Sequence, residues 1–248
     1  MKPFLVLQLR PEDAAADEEF SAILRRAGLT SGDVTRIRLD QTALPVGLDL
    51  RSYSGVIVGG GPGCVSDLPE EKDPAEARIE AQILGLMPRI VAEDVPFLGC
   101  CYGIGILGRH LGAPVSKAQY SEPVGPIICT RRHEGAADPL LEGLPDSFTA
   151  LVGHKEALDA LPEGATHLLE GARCPIQMLR YRDRVYATQF HPEADGASFA
   201  LRIRIYRAKG YFRPEEADDL TARVDGVDTT FSGRILANFV QHFARYDQ

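Results

Sequence analysis

The chain has 248 residues with 27 basic and 35 acidic side chains, for a formal net charge of −8. At 44% hydrophobic and 25% charged it has the composition of an ordinary globular protein with ample material for a core. No block of Lys or Arg concentrates positive charge, which excludes a nucleic-acid or anionic-membrane surface as the expected role. The five cysteines, Cys64, Cys100, Cys101, Cys129 and Cys174, are scattered and lack C-x-x-C spacing, so no disulfide framework or zinc site is expected. Residues 4–9 are too short an apolar run for a signal peptide, and no segment approaches membrane-spanning length. A cytoplasmic protein with reduced thiols is the expectation.

In chain order, residues 4–9 read as a buried strand, and Pro11-Glu12-Asp13 opens a helix whose apolar face is Phe20, Ile23, Leu24 and Ala27. Gly28 ends that helix. Residues 34–39 alternate apolar side chains with Arg36 and Arg38, as an edge strand does. Residues 55–58 form a third short strand that runs into Gly59-Gly60-Gly61-Pro62-Gly63, and Ile79, Ile83, Leu86 and Ile90 mark a long helix. Strands alternating with helices predict a parallel doubly wound α/β sheet, with ligands at the carboxyl ends of its strands. Between about residues 123 and 186 the runs 127–130, 148–152, 177–181 and 185–188 predict an antiparallel extension of the sheet. Residues 199–206 read as a helix despite their alternating arginines, and Ile235, Leu236, Phe239, Val240 and Phe243 predict a closing helix.

The apolar run Val95-Pro96-Phe97-Leu98 stops at Gly99-Cys100-Cys101-Tyr102-Gly103, and helix-compatible sequence follows. This is the G-x-nucleophile-x-G spacing of a nucleophile elbow, with cysteine at the centre. Cys101 occupies the central position, while Cys100 is expected to point into the core. Helix N-terminal amides and the positive dipole end favour a thiolate there. The plainer reading is a glycine-rich corner whose cysteines are core residues. A second stretch, Gln189-Phe190-His191-Pro192-Glu193, ends the last strand with a base and a carboxylate within one turn. A cysteine nucleophile needs both, one to take its proton and one to orient the base.

With the glycine loop at Gly59–Gly63, the elbow and the His191-Pro192-Glu193 element in this order, the chain resembles the class I (triad-type) glutamine amidotransferases. It looks most like the amidotransferase domain of GMP synthetase. The resemblance spans roughly residues 4–193 and includes His154-Lys155-Glu156 and Cys174-Pro175-Ile176-Gln177. It implies a flavodoxin-like three-layer α/β sandwich with a mostly parallel central sheet. It also implies Cys101 as nucleophile, His191 as general base and acid, Glu193 as its orienting carboxylate, and Gly60, Gly61 and Tyr102 as oxyanion-hole amides. The implied reaction attacks the glutamine side-chain amide, forms a γ-glutamyl thioester and releases ammonia and then glutamate. A simple turn or a phosphate loop is the other reading of the glycine loop, but no Lys-Ser/Thr follows it.

The chain departs from the family where C-x-G-x-Q is usual, because Gly105 stands in the place of the glutamine. That departure brings in a γ-glutamyl peptide or conjugate as an alternative substrate. His154, Lys155 and Glu156 are candidates to line the substrate pocket, though they also fit an exposed polar loop. Tyr206, Tyr211 and Phe212 beside Arg207 and Lys209 fit either core packing or a cover over the site. His110, His133, His167 and His242 have no constellation around them. No metal-ligand spacing appears, so neither metal nor cofactor is expected. The expected organisation is one domain over residues 1–248, with a core to about 194 and a helical extension over 195–248. With no nucleotide-binding motif in that extension, ammonia would go to a separate synthetase subunit, or the protein is a free-standing hydrolase. A non-catalytic binding or sensor module on the same fold is the alternative from another class.

Overall fold

The computed structural model describes residues 1–209 and 212–246. Its first strand, β1 (Phe4–Gln8), is buried along its whole length. Alternation sends Leu5 and Leu7 into one apolar cluster and Phe4 and Val6 into another, so both faces of the sheet need a helical layer. Helix α1 (Asp13–Ala27) follows; Pro11 lies outside it, Glu12 is its cap, and Gly28 ends it at φ 68°, where a side chain would be strained. Strand β2 (Val34–Arg38) is half-buried, and β3 (Val56–Val58) is fully buried. Asp73 caps α2 (Pro74–Ala92) by accepting from the amides of Ala75 and Glu76. Then β4 (Phe97–Cys100) leads through Cys101 directly into α3 (Tyr102–His110).

The second half of the chain is mostly strand. β5 (Val115–Ser116), β6 (Glu122–Arg131), β7 (Ser147–His154), β8 (Ala157–Leu158), β9 (Ala165–Gly171), β10 (Met178–Tyr181) and β11 (Val185–Thr188) follow in turn. Helices α4 (Gly196–Tyr206), α5 (Ala217–Val224) and α6 (Thr230–Phe243) close the chain. Among the described residues one nine-stranded sheet runs in the order β2-β1-β3-β4-β11-β10-β9-β6-β7, and β5 pairs with β8 separately. The five strands from β2 to β11 are parallel, and the remaining four are antiparallel.

Helices α2 and α3 cover one face, where Ile83, Ile90, Ile104 and Leu107 pack with Leu5 and Leu7. Helices α1 and α6 cover the other, where Ile23, Leu236 and Phe239 pack with Phe4 and Val6, and the Phe4 and Phe239 rings lie 6.0 Å apart. This is a flavodoxin-like three-layer α/β sandwich, extended on one side by the antiparallel strands. Residues 199–206 are helical as expected. Strand β9 was not anticipated, because it shows no regular apolar period; helix α5, with Ala217, Leu220 and Val224 buried at i, i+3 and i+7, falls inside the stretch read as a helical extension, where it was not singled out. No helix among the described residues is long and apolar enough to cross a membrane.

The turn after β4 depends on close backbone approach. A Cβ on Gly99 would lie 2.9 Å from the Gly103 backbone, whereas one on Gly85, on the exposed side of α2, would meet nothing within 4 Å. Gly99→Ala should therefore lower the unfolding free energy by about 1–3 kcal/mol. Gly85→Ala should raise it by up to about 1 kcal/mol through helix propensity. Urea denaturation of the two variants checks the pair; equal effects would contradict the packing described for the turn.

Candidate active site

Five segments meet at the carboxyl ends of the strands: Arg10 after β1, the glycine loop after β3, Cys101 after β4, the end of β7, and His191 with Glu193 after β11. Cys101 caps α3 with φ 54° and ψ −89°, an uncommon conformation for a residue with a side chain. Its amide donates to the carbonyl of Thr188 at 2.7 Å, tying the turn to β11. Cys100, one residue earlier, is fully buried among the core residues on the α1 side. Cys101 itself is half-buried.

His191 and Glu193 are both buried, and His191 Nδ1 lies 2.8 Å from Glu193 Oε1. A carboxylate only accepts, so Nδ1 carries the proton and Nε2 is the basic nitrogen of the neutral ring. Arg202, on α4, donates to the same Glu193 oxygen at 3.0 Å. Burial lowers the His191 pKa despite the opposing pull of Glu193. Burial acts to raise the Glu193 pKa, but His191 and Arg202 hold the carboxyl well below the usual range. The Cys101 thiol is pushed up to about 12, chiefly by burial, with Arg10 acting against the shift. Both shifts favour the uncharged forms, a thiol beside a neutral imidazole. Burial thus opposes the thiolate that the helix end and Arg10 favour.

The glycine loop is packed from three sides. A Cβ on Gly59 would lie 2.5 Å from the Glu19 carboxylate, and one on Gly60 would lie 2.6 Å from the His191 ring. The Gly60 amide donates to Glu19 Oε1 at 3.2 Å. In this structure the amide is thus held by Glu19, which argues against the oxyanion role that the resemblance implied. Glu19 is fully buried, pairs with Arg10 Nε at 2.8 Å and accepts from Gln8 at 3.0 Å. Arg10 Nη1 in turn donates to the Tyr206 hydroxyl at 3.2 Å. Sequence reasoning missed Arg10, Glu19 and Arg202. A signal for the last exists, since Phe199, Arg202, Ile203 and Tyr206 share one helix face at i, i+3, i+4 and i+7, and all four are buried.

The His154-Lys155-Glu156 stretch is not an exposed loop, because His154 and Glu156 are both buried. The Glu156 carboxylate accepts the amides of Val65 and Ser66, each at 2.8 Å, so it is held by backbone rather than left to meet a substrate charge. Gly105 lies beneath it: a Cβ there would approach Glu156 Oε1 to 3.1 Å and Val65 to 3.2 Å. Gly105 lines neither of the cavities beside Cys101, contrary to its candidacy as a substrate contact. His154 donates from Nδ1 to the Glu156 carbonyl at 2.8 Å and faces Glu122 Oε2 through Nε2 at 3.0 Å. Glu122, His154 and Cys174 bring ligand atoms within 4.8 Å of one another, a grouping their sequence spacing hides. Gln177 also donates to Glu122 at 2.7 Å, so a metal there would have to displace an existing hydrogen-bond network.

Cys101 stands between two cavities. One is lined by Gly61, Cys64, Tyr102, Lys155, Glu156 and Gln189 among others. The second is lined by His191, Arg10 and Arg202 together with apolar side chains of α4 and β6. Tyr206 and Phe212 both face this second cavity while Tyr206 also packs in the interior, so the cover and core readings are both met. Tyr211 lies outside the described residues.

The family model described as glutamine amidotransferase class-I matches residues 15–203. A GMP synthase [glutamine-hydrolyzing] from Lactobacillus delbrueckii subsp. bulgaricus is 31% identical over 150 residues, 60% of this chain and 26% of that protein. The GMP synthase of Thermus thermophilus is 34% identical over 149 residues, with the same shares covered. The match thus spans about a quarter of the length of these curated relatives. Among solved structures, a glutamine amidotransferase from Thermotoga maritima superposes with a TM-score of 0.76 at 20% identity, covering 98% of this chain and 99% of that one. One from Methylobacillus flagellatus gives 0.73 at 21% identity, covering 100% and 98%. At these identities the structural likeness speaks to the fold.

The elevated thiol pKa sets a testable pH dependence. Below its pKa, thiolate and hence alkylation rate rise about tenfold per pH unit. Iodoacetamide labelling of Cys101, followed by mass spectrometry of its peptide, should climb steadily from pH 7 to 10. A plateau below pH 8 would show a preformed thiolate instead.

Proposed function

The chain belongs to the class I glutamine amidotransferase family, and from that premise we propose that it cleaves the side-chain amide of glutamine or of a γ-glutamyl compound through a thioester on Cys101. The observation that carries the reading is the shared cavity of Cys101 and His191, with the His191 tautomer set by Glu193 at 2.8 Å. Cys101 Sγ attacks the amide carbonyl as His191 Nε2 takes the thiol proton. His191 then returns that proton to the departing amine, breaking the C–N bond and leaving the γ-glutamyl thioester. Water, deprotonated by the same imidazole, hydrolyses the thioester to glutamate and restores the thiol. Glu193, held by Arg202, keeps the ring oriented and stabilises the imidazolium.

Two candidates supply oxyanion donors, the amides of Gly61 and Tyr102, whose residues line the cavity with Cys101. The Tyr102 amide opens α3, where helix N–H groups lack intrahelical acceptors. Losing one such donor costs about 3 kcal/mol of barrier. Residues 1–248 act as one domain in this reading, with the segment after Glu193 contributing Arg202 to the site rather than forming a separate catalytic unit. No cofactor takes part in the sequence of steps.

A second reading follows from the relatives, which are GMP synthases described as glutamine-hydrolysing. In it, ammonia formed here passes to a separate synthetase subunit, and the hydrolysis is dormant without that partner.

Glutamate release from glutamine and from γ-glutamylmethylamide, measured with wild type and Cys101→Ala, tests the proposal. Turnover should vanish in Cys101→Ala, and Glu193→Gln should lower kcat by about 10²–10⁴-fold. Full activity in Cys101→Ala would overturn the assignment. The lowered His191 pKa places the acid limb of kcat/KM below the ordinary histidine value of about 6.5. Activity is lost as pH falls through the folded-state pKa, because protonated His191 cannot accept the thiol proton. A limb centred above pH 7 would contradict that environment.

A further inference from the structure

The two cavities beside Cys101 differ in what faces them. His191 lines the second cavity and not the first. The group that returns a proton to a departing amine must lie beside that amine. The amine therefore leaves on the side of the second cavity, and the glutamyl portion occupies the first.

Ammonia needs no room on its side of the bond. Yet the second cavity has a volume of about 50 Å³ beside the thiol and is open on one side. Apart from the site residues its walls are Val124 of β6, Phe199, Ile203 and Tyr206 of α4, and Phe212. Its two cations are already matched: Arg10 pairs with Glu19 at 2.8 Å, and Arg202 with Glu193 at 3.0 Å and Glu18 at 3.4 Å. The cavity thus offers apolar surface and no unmatched charge, which suits a neutral apolar group and not the carboxylate of an amino-acid leaving group.

Building on the thioester reading above, we infer that the chain hydrolyses γ-glutamyl amides whose amine carries a small neutral apolar group of a few carbons, seated against Phe199, Ile203 and Phe212. The amide C–N bond breaks as the Cys101 Sγ–C bond forms, and the amine leaves with the proton from His191. Water then cleaves the thioester, so one amide and one water give glutamate and one free amine.

The test compares kcat/KM for glutamine, γ-glutamylmethylamide and γ-glutamylisopropylamide, by glutamate release. Filling an apolar pocket with two further methyl groups should raise kcat/KM for the isopropylamide by about ten- to a hundredfold over the methylamide. Phe212→Ala, at a half-buried position, and Val124→Ala should each reduce that ratio several-fold. Equal kcat/KM for the two amides, or a preference for glutamine, overturns the inference while leaving the thioester reading standing if Cys101→Ala abolishes turnover. Turnover of none of the three overturns it as well, and labelling of Cys101 by a glutamine-like diazoketone then shows whether the thioester reading falls with it.

Discussion

The site rests on one strained turn. Cys101 holds φ at 54° and ψ at −89° between a strand and a helix, a conformation that costs about 1–3 kcal/mol and survives only when its surroundings fix it from several directions. They do so here by three routes. The Cys101 amide is bonded to Thr188 on the neighbouring strand, Gly99 lets the Gly103 backbone come within contact distance, and Cys100 is locked into the core. Because β4 and β11 pair in parallel from Val185 with Phe97 to Thr188 with Cys100, the turn and the segment carrying His191 start from the same level of the sheet. The geometry between cysteine and histidine is thus a consequence of strand register.

Around that turn the chain buries charge, and it does so in matched sets. Glu19 with Arg10 lies behind the glycine loop, and Glu193 with Arg202 lies behind His191. Buried ions cost several kcal/mol each to desolvate, so these pairs add little net stability; removing one partner leaves an uncompensated charge worth about 3–5 kcal/mol. Their effect is positional. Arg10 and Arg202 come from opposite ends of the chain, and together they draw α4 onto the carboxyl end of the sheet. The same burial raises the Cys101 thiol and lowers the His191 imidazole, and both shifts favour the uncharged forms. A neutral pair has no imidazolium to consume the basic nitrogen before substrate arrives.

What the sequence made legible was contiguous. Gly99 to Gly103 carries the elbow in five residues, and His191 to Glu193 carries base and carboxylate in three, so both could be read without knowing the fold. The strands that became β1, β3, β4 and β11 were visible as short apolar runs. The unread parts depend on distant partners. Glu156 looks like a residue of a polar loop until its carboxylate is seen to hold amides about 90 residues upstream. Gly60 looks like an oxyanion donor until Glu19 takes its amide. Arg202 sits in an apparently strand-like alternation, and only the helical period places it on the buried face with Phe199 and Tyr206. Strand β9, Ala-Thr-His-Leu-Leu-Glu-Gly, has burial decided by β10 and β6 on either side rather than by any period of its own.

The departure at Gly105 and the extension after Glu193 bear on the same question from opposite sides of the thiol. With Glu156 Oε1 3.1 Å and Val65 3.2 Å from where a Cβ would stand, position 105 is tight, and the longer side chain usual in the family would need both neighbours to shift. The first cavity is consequently shaped by backbone and by Glu156 tied to Val65 and Ser66, a rigid wall rather than an adaptable one. The second cavity is shaped by α4, which belongs to the segment that follows the His191-Pro192-Glu193 element. One chain segment therefore fixes His191 through Arg202 and lines the departure side through Phe199 and Ile203. Orientation of the base and the shape available to a leaving group are consequently coupled through a single helix, because a shift of α4 that widened the cavity would also move the guanidinium that holds Glu193.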